Sequence, residues 1–451
     1  MKLFAMAWRN LRQRALSSTL TILGVLLGTA LVTFLWLVAS EAERKYVQST
    51  SGFDVVVGPN GTSSLDLVLN AVYLAKPAQG VIEFRTYREL HQDDAKDRKT
   101  WGRYVRYAIP FAYGDSFHGF PVCATTDEFF LKWGNAPESV KEDRPPDLRF
   151  AAGGPFAFSH EDYLGEAEVQ AARHRAGDTS EQEVPPAWRK VVLGALAARQ
   201  LGLGVGDSIA PAHGTGSSLH FHEEARSEVV GVLEELGSPL DRGIFVPVGL
   251  HYRLSDHAAI GKASVDVTAD DVELSAVVVS CRPGIGFMQL RKAFMTRTDA
   301  IAAVPRIAVQ ELFQVVGNIA EALGAIAWIV LVVASLGVFL ALYNTMVERE
   351  RDIAILRSIG ARRFQIFTIT LAEAAWIGFV GAALGVLAAH ACVYLFADGL
   401  AVSTGVPIRA SAFAMREVWL VLGVTALASI AGLIPAWRAS STDVARLLSA
   451  N

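Results

Sequence analysis

The sequence predicts a membrane α-helical protein with four transmembrane helices and a large α+β extracytoplasmic domain between helices 1 and 2. Three observations lead to this prediction. Four long stretches of the 451-residue chain are almost free of charge, although 19% of the whole chain is charged. Basic residues flank these stretches unevenly. The long interval between the first two stretches has the short, punctuated segments of a folded domain.

The four apolar stretches are long enough to cross a bilayer. Residues 15–40, 322–347 and 418–437 contain no charged side chain, and Glu373 is the only one in 364–397. A bilayer core about 30 Å thick needs about 20 apolar residues in a helix, which satisfies its own backbone hydrogen bonds. A cleaved signal peptide is the alternative for the first stretch, but its apolar run exceeds the usual length of about 7–15 residues. We therefore expect a retained helix.

Basic residues predict the orientation. Four precede the first stretch, five lie between the second and third, and two follow the fourth. Because Lys and Arg are retained on the cytoplasmic side, both termini and the second-to-third segment are expected in the cytoplasm. The predicted order is a cytoplasmic amphipathic amino terminus at 1–15, helix 1 at 16–40, the outer domain at 41–316, helix 2 at 317–346, a cytoplasmic helix at 347–363, helix 3 at 364–397, an external loop at 398–416, helix 4 at 417–437 and a cytoplasmic tail at 438–451.

The outer domain is acidic and rich in strand signals. It holds 28 basic and 37 acidic residues, against 13 and 8 in the rest, so nucleic-acid binding is not expected. Helical patterns at both ends predict stalk helices. Candidate strands, bounded by turn residues, are Phe53–Val57, Val105–Phe111, Phe120–Thr125, Val191–Leu193, Glu228–Val232, Gly243–Val248 and Ser275–Cys281. Candidate helices are Ser64–Leu74, Tyr87–Asp94, Gly194–Leu201 and Gly286–Met295.

Two further features of this domain lead to expectations. The stretch 138–186, rich in Pro, Gly, Ala and charge, is expected to be a loop or a loosely built insert. Cys123 and Cys281 allow a disulfide outside the cytoplasm. Lone cysteines in apolar strands are more often simply buried.

Three motifs carry a family resemblance. Trp8-Arg-Asn-Leu-Arg12 leads to Thr21-Ile-Leu-Gly-Val-Leu-Leu-Gly28, and Glu348-Arg-Glu-Arg-Asp-Ile-Ala-Ile-Leu-Arg-Ser-Ile-Gly-Ala-Arg-Arg363 follows the second helix. Leu433-Ile-Pro-Ala-Trp-Arg-Ala-Ser440 ends the fourth. In this order they resemble the MacB/FtsX/LolC-like permease subunits of ABC transporters, the type VII or mechanotransmission group. Three outer-domain segments are similar to MacB-type periplasmic domains: Leu203–Ser208, Val229–Leu233 and Ile244–Pro247.

The resemblance implies a permease subunit of the bacterial inner membrane without a fused ATPase. Such a subunit couples ATP hydrolysis by a separate ABC ATPase to movement of its outer domain, for export or extraction of lipoprotein, peptide or amphiphilic substrates. The implied partners are that ATPase, a second permease copy or a paralogue, a periplasmic adaptor or lipoprotein, and membrane lipids. Four helices are too few for a spacious channel, so a homodimer or a paired permease is expected.

Two other functions are the alternatives. One is an FtsX-like transmembrane regulator of an envelope enzyme. The other is a membrane-anchored enzyme, but no Gly-x-Ser-x-Gly or His-Glu-x-x-His motif supports it, so the chain is not expected to be an enzyme. Gly58-Pro-Asn-Gly61-Thr62 and Gly261-Lys262-Ala263 both lack the phosphate-loop pattern, and ATP and Mg²⁺ are therefore expected on the partner.

The segment after the second helix predicts a docking element. Residues 348–363 form a charged helical pattern that Gly360 would end as a C-cap glycine. Ile353, Leu356 and Ile359 would form one apolar edge while the charged side chains face water. The resemblance implies the ATPase-coupling helix, and a solvated positive-inside loop is the alternative. The candidate coupling residues are Glu348, Arg349, Arg351, Ile353, Leu356, Arg357, Gly360, Arg362 and Arg363.

Glu373 is a rare ionisable residue within a membrane span, where a charge costs about 2.5–3.5 kcal/mol on insertion scales. Its position permits snorkelling or a hydrogen bond between helices. We expect Glu373 to have a structural, anchoring role rather than a role in a proton or substrate relay. Small residues nearby, Gly378, Gly381, Ala382 and Gly385, let a neighbouring helix approach closely.

A histidine-rich segment allows a metal site. His213, His220 and His222 lie in a Gly/Ser-rich connection, and His220 and His222 would share one face of a strand. Three imidazole nitrogens suit zinc or copper. A solvated loop that bears histidines without binding metal is the more common case.

Overall fold

The computed structural model describes residues 15–49, 53–74, 80–91, 101–133, 148–210, 212–213, 220–221, 226–254, 259–262, 265–404 and 413–441. The chain divides into two compact units. The helical unit is drawn from residues up to 42, from 315–399 and from 408 onward. The sheet domain is drawn from 43–314 and 400–407.

The helices and strands are numbered here in chain order. The helices are α1 Ala15–Ser49, α2 Ser64–Ala71, α3 Phe84–Leu90, α4 Glu128–Lys132, α5 His160–Ala176, α6 Ala195–Leu201, α7 Val248–Tyr252, α8 Gly286–Phe294, α9 Pro305–Glu348, α10 Glu350–Ser358, α11 Arg363–Thr404 and α12 Met415–Ser441. The strands are β1 Val55–Pro59, β2 Ile82–Glu83, β3 Val105–Phe117, β4 Phe120–Thr125, β5 Phe150–Gly153, β6 Lys190–Leu193, β7 Ser208–Ile209, β8 Ala212–His213, β9 His220–Phe221, β10 Ser227–Leu233, β11 Ile244–Pro247, β12 Glu273–Leu274, β13 Ala276–Cys281 and β14 Ala300–Ala303.

Four of the described helices are long and apolar enough to cross a membrane. The qualifying segments are Ser18–Glu41 in α1, Glu321–Glu348 in α9, Arg363–Ala397 in α11 and Met415–Ser441 in α12. The strands of the sheet domain follow α1 and precede α9 in the chain. The predicted fold class, four transmembrane helices with a sheet-containing domain between the first and second, is therefore confirmed.

Glycines of α11 bring this helix close to its neighbours on two sides. A Cβ atom on Gly381 would lie 2.7 Å from the Cβ of Val25 in α1. One on Gly378 would lie 2.6 Å from the Cβ of Ala428 in α12. Both distances are well below the optimal carbon–carbon separation of about 3.5–4.0 Å. The close helix approach expected from these small residues is confirmed.

The sheet domain is built on a twelve-stranded sheet within the described residues. Its strand order is β14-β1-β13-β3-β4-β11-β6-β10-β5, with β7, β8 and β9 paired beside this path. The β4–β11 and β6–β10 pairs are parallel. The first and last strands are antiparallel neighbours, with Val56 opposite Ala303 and Pro59 opposite Ala300. A separate small sheet pairs β2 with β12.

A 17-residue helix, α5, and strand β5 lie within the stretch 138–186, where a loop was expected. Ser159 and Asp162 cap the helix reciprocally, and Gly177, at φ 63°, ends it. The expectation of a loop was wrong because abundant charged residues hid an apolar stripe of period four. The stripe is Tyr163, Ala167 and Ala171, all buried. Residues 138–147 of the stretch lie outside the described part.

Each candidate strand and helix overlaps an observed element of the same kind.

The two cysteines of the sheet domain are free and buried. Cys123 lies in β4 and Cys281 in β13, with β3 running between these strands. Neighbouring strands are about 4.8 Å apart, so the two residues are separated by two such spacings. A disulfide needs Cα atoms within about 7 Å. The disulfide that the sequence allowed is therefore not formed, and burial raises the pKa of Cys281 to about 12.

Candidate coupling site at one end of the helical unit

A short helix, α10, connects two membrane helices. Arg349, at φ −100° and ψ 11°, interrupts the helical path between α9 and α10. The last turn ends at Gly360, whose φ is 107°, and the Ala361 N–H donates to the Leu356 carbonyl at 3.0 Å. A side chain would be strained at this φ. Gly360 thus occupies the position of a C-cap glycine, as the sequence predicted.

One face of α10 is anchored by an apolar cluster. Ile353, only 7% exposed, packs with Met346 of α9, Ile366 of α11 and Ala439 of α12. Each of four helices therefore contributes one side chain to the same contact. We call this set the anchor cluster. Ile353, Leu356 and Ile359 are the residues expected to form one apolar edge, and of the three Ile353 is buried whereas Leu356 and Ile359 are exposed.

Away from this contact, α10 and the residues just after it expose large apolar side chains. Ile355 and Leu356 are exposed, as are Ile359 at 78% and Phe364, at the start of α11, at 75%. We call these four residues the coupling surface. Ile355 and Phe364 were not singled out in the sequence. The spacing of four between Ile355 and Ile359 is the signal that finds the first of them.

Charged side chains surround the coupling surface. Glu350 and Asp352 lie in the first turn of α10, and Arg357 lies in its last. This distribution matches the helix dipole, which favours acidic groups at the start and basic groups at the end. The candidate residues that are exposed are Glu348, Arg351, Leu356, Gly360, Arg362 and Arg363, and those that are half-buried are Arg349 and Arg357. All nine candidates lie in this one segment.

An arginine–tyrosine contact joins α12 to α9 near the anchor cluster. Arg438 donates a hydrogen bond from Nη1 to the Tyr343 hydroxyl oxygen at 2.6 Å. Its guanidinium carbon also lies 5.0 Å from the centre of the Tyr343 ring, within cation–π range. The sequence motif included Arg438, but nothing in it pointed to Tyr343.

Two carboxyl groups of the membrane helices are buried. Glu373 is 3% exposed, so its side chain does not reach the surface of the helical unit as snorkelling would require. Glu417, in the first turn of α12, is a further buried carboxyl, and nothing in the sequence distinguishes it from the charged residues that flank the membrane spans. Its Oε2 atom lies 3.2 Å from His390 Nε2 of α11.

The histidine-rich segment is described only in part. His213 in β8 stands directly opposite His220 in β9 in an antiparallel register. His222 lies outside the described residues. Zinc or copper binding there stays a prediction.

Comparisons with known proteins agree with the motif resemblance. Residues 324–444, which include α10, match the model of the FtsX-like permease carboxy-terminal domain. The chain is 40% identical over 129 residues to the pyoverdine export ATP-binding/permease protein PvdT of Pseudomonas savastanoi pv. phaseolicola. It is 31% identical over 120 residues to the macrolide export ATP-binding/permease protein MacB of Syntrophobacter fumaroxidans. A probable export ATP-binding/permease protein of Pseudomonas fluorescens is 23% identical over 404 residues.

These matches differ in extent. The first two cover 28% and 26% of this chain, and the third covers 87%. The chain spans 52% of the length of the Pseudomonas fluorescens protein, 18% of PvdT and 16% of MacB. Each of the three relatives is named as a permease, in agreement with the match to the FtsX-like permease domain.

Proposed function

We propose that this FtsX/MacB-like ABC transporter permease couples ATP hydrolysis by a separate ATPase subunit to movement of its sheet domain, for export or extraction of lipoprotein, peptide or amphiphilic substrates. The observation that carries the proposal is the coupling surface. It presents four large apolar side chains on the charged helix α10 and on the residues that follow it, up to the start of α11. Exposed apolar side chains rimmed by polar residues are typical of a docking site.

The two faces of α10 suit the transmission of force. An amphipathic helix binds a partner by laying its apolar face into a groove. Ile353 of the same helix lies in the anchor cluster, where α9, α11 and α12 each contribute a side chain. A displacement of α10 by a partner would therefore act on three membrane helices through one packed contact, because close-packed contacts transmit strain.

The topology proposed for this mechanism is that of a multi-pass protein of the bacterial inner membrane. Both termini and α10 lie in the cytoplasm, and the sheet domain lies outside. The arginines of residues 349–363 support this assignment, because basic residues are retained inside. A second copy or a paralogue completes the permease, and a periplasmic adaptor or lipoprotein acts on the outer side.

The ATPase is proposed to be a separate chain that binds ATP and Mg²⁺. The 451 residues contain no Gly-x-x-x-x-Gly-Lys-Ser/Thr sequence. The three relatives described above are each named as an ATP-binding/permease protein.

The experiment is purification of the full-length chain from its host in mild detergent, with ATP hydrolysis measured in the eluate. The test variant is Ile359→Glu, and the matched control is Ile285→Glu, which changes another exposed isoleucine in the sheet domain. Ile359→Glu should lower the co-purifying activity by about tenfold or more, since a charge in the docking contact costs at least about 1.4 kcal/mol. Ile285→Glu should leave it unchanged. Full activity with Ile359→Glu, in protein of unchanged melting temperature, would reject α10 as the docking element.

A further inference from the structure

A buried cluster of titratable groups lies where three helices of the sheet domain meet. It consists of Tyr87 from α3, His91 directly after α3, Glu128 from α4 and His160, the first residue of α5. We call these four residues the histidine cluster. All four are buried. None of them belongs to the coupling site.

The two imidazoles of the cluster are stacked on one another. Their ring centres are 3.6 Å apart and the ring planes differ by 15°. His91 Nε2 lies 3.1 Å and 3.3 Å from the two carboxylate oxygens of Glu128. His160 Nδ1 lies 2.8 Å from the Tyr87 hydroxyl oxygen. The stack therefore links α5 to α3 and, through Glu128, to α4.

A carboxylate holds one side of the stack. Burial by itself would raise the pKa of Glu128, but hydrogen bonds from His91 and from Lys132, whose Nζ lies 2.6 Å away, outweigh it and lower the pKa to about 2. Glu128 is thus ionised throughout the range in which imidazole titrates, roughly pH 5 to 8. One positive charge on His91 is compensated by this carboxylate.

A second positive charge on the stack is disfavoured by its surroundings. His160 sits at the positive end of the α5 dipole, which disfavours a cation there. The His91 Nδ1 atom is buried and, within the described residues, has no hydrogen-bond partner. Other ionisable groups near the cluster, within the described residues, include Asp127 before α4, Asp162 and Tyr163 in α5, and the Arg88–Asp270 ion pair, 2.7 Å between its charged atoms, which joins α3 to residues 269–271. The Asp162 carboxylate already accepts hydrogen bonds from the backbone N–H and the hydroxyl of Ser159, which cap α5.

The stacked geometry also argues against a metal site. Ring-nitrogen lone pairs lie in the ring planes, so two nearly parallel rings do not direct them at one point. No group of three or more His, Cys, Asp or Glu side chains within the described chain is arranged to hold a metal ion. The ligand that fits this cluster is the proton.

We propose that the His91–His160 stack is a pH-sensitive switch that holds α5 against α3 and α4 when at most one imidazole is charged and releases it when both are charged. Two like charges at the distance of the stacked rings, shielded from water, repel strongly. The closed arrangement binds fewer protons than the open one, so it is favoured at high pH and lost as the pH falls. With the orientation proposed above, the switch responds to the pH of the periplasm.

The test is hydrogen–deuterium exchange of the full-length chain in detergent, compared at about pH 8 and about pH 5 after correction for intrinsic rates. Exchange in α3 and the first half of α5 should rise by about tenfold or more at the lower pH, as local opening becomes populated. His160→Asn and His91→Gln keep a hydrogen-bonding atom near Nδ1 and Nε2 respectively but do not titrate. Each should abolish the rise. The control is His118→Asn, at an exposed position with φ 48° that asparagine tolerates.

Three results would overturn the proposal. They are a wild-type chain without a localised rise, a rise that persists in either variant, and a rise confined to α7. The last would point to His251, which lies 3.9 Å from Asp115. If neither variant folds, the wild-type profile compared with His118→Asn still decides, because the proposal requires the rise to begin at α3 and α5.

Discussion

Replacing Arg253 by methionine should open the region around α5 and α7, because it strands a buried carboxylate. Arg253 binds Glu166 with two hydrogen bonds, from Nε at 2.9 Å and from Nη2 at 2.6 Å. Its guanidinium carbon also lies 4.6 Å from the centre of the Trp188 ring. Methionine has a similar length and no charge.

The size of the effect follows from burial. The Glu166 side chain is 1% exposed and that of Arg253 is 17% exposed, so water cannot replace the lost partner. Removing one member of a buried ion pair costs about 3–5 kcal/mol. The remaining bond to Glu166, from Gln170 Nε2 at 2.7 Å, compensates only in part because the amide is neutral. We therefore expect a loss of about 3 kcal/mol in the free energy of local opening.

Hydrogen–deuterium exchange of the full-length chain measures this quantity segment by segment. A loss of about 3 kcal/mol accelerates exchange in α5 and α7 by roughly 150-fold. The matched control is Arg199→Met, which removes an arginine that is 52% exposed and 3.5 Å from Glu235, and should change exchange by less than about fivefold. The reasoning is refuted if Arg253→Met accelerates exchange no more than the control does.

Three other predictions follow from burial, close contact and charge. Gly381→Leu should lower the melting temperature of the detergent-solubilised chain, because the larger side chain forces α1 away from α11 at a cost of about 1–3 kcal/mol. The control is Gly423→Leu, at a position where a Cβ meets nothing within 4 Å, and equal melting temperatures of the two variants would contradict the close packing. Ile353→Ala should cost about 2–5 kcal/mol in thermal unfolding by emptying the anchor cluster, whereas Ile355→Ala should leave the melting temperature unchanged, and the reverse order would argue against the assigned faces. Glu128→Gln should lower the free energy of unfolding by about 3 kcal/mol near pH 7, because the pKa of Glu128 falls from an ordinary 4.5 to about 2 in the folded protein. This stabilisation is complete above pH 4.5 and is lost as the pH falls through 2. If denaturant unfolding shows a difference in stability between wild type and variant that does not shrink in acid, the prediction is contradicted.

The membrane helices were predictable because the bilayer imposes a composition. A charge-free run of about 20 residues is rare in helices that face water, so the four spans and the position of the sheet domain followed from composition alone. The end of α10 was predictable for a local reason as well, since the φ of Gly360 favours glycine.

Contacts between distant parts of the chain were not predictable in the same way. Nothing near Arg438 indicates Tyr343, which lies 95 positions away. His91 and His160 meet only because α3 and α5 pack against each other. Ile353 is buried by side chains from three other helices, which the pattern of residues 348–363 does not reveal. Within α5, polar residues hide the apolar stripe in the sequence, and the stripe is recognised only once the structure shows that the helix begins after Ser159.

The pairing of β1 with β14 makes the sheet domain a module with adjoining ends. The chain enters through Val55–Pro59 and leaves through Ala300–Ala303, and these two strands share a ladder of hydrogen bonds. A domain whose ends meet can be excised, transplanted or circularly permuted with a short joint, because no span has to be bridged. The sheet domain is therefore a unit that can be replaced without changing the sequences of the membrane helices that precede and follow it in the chain.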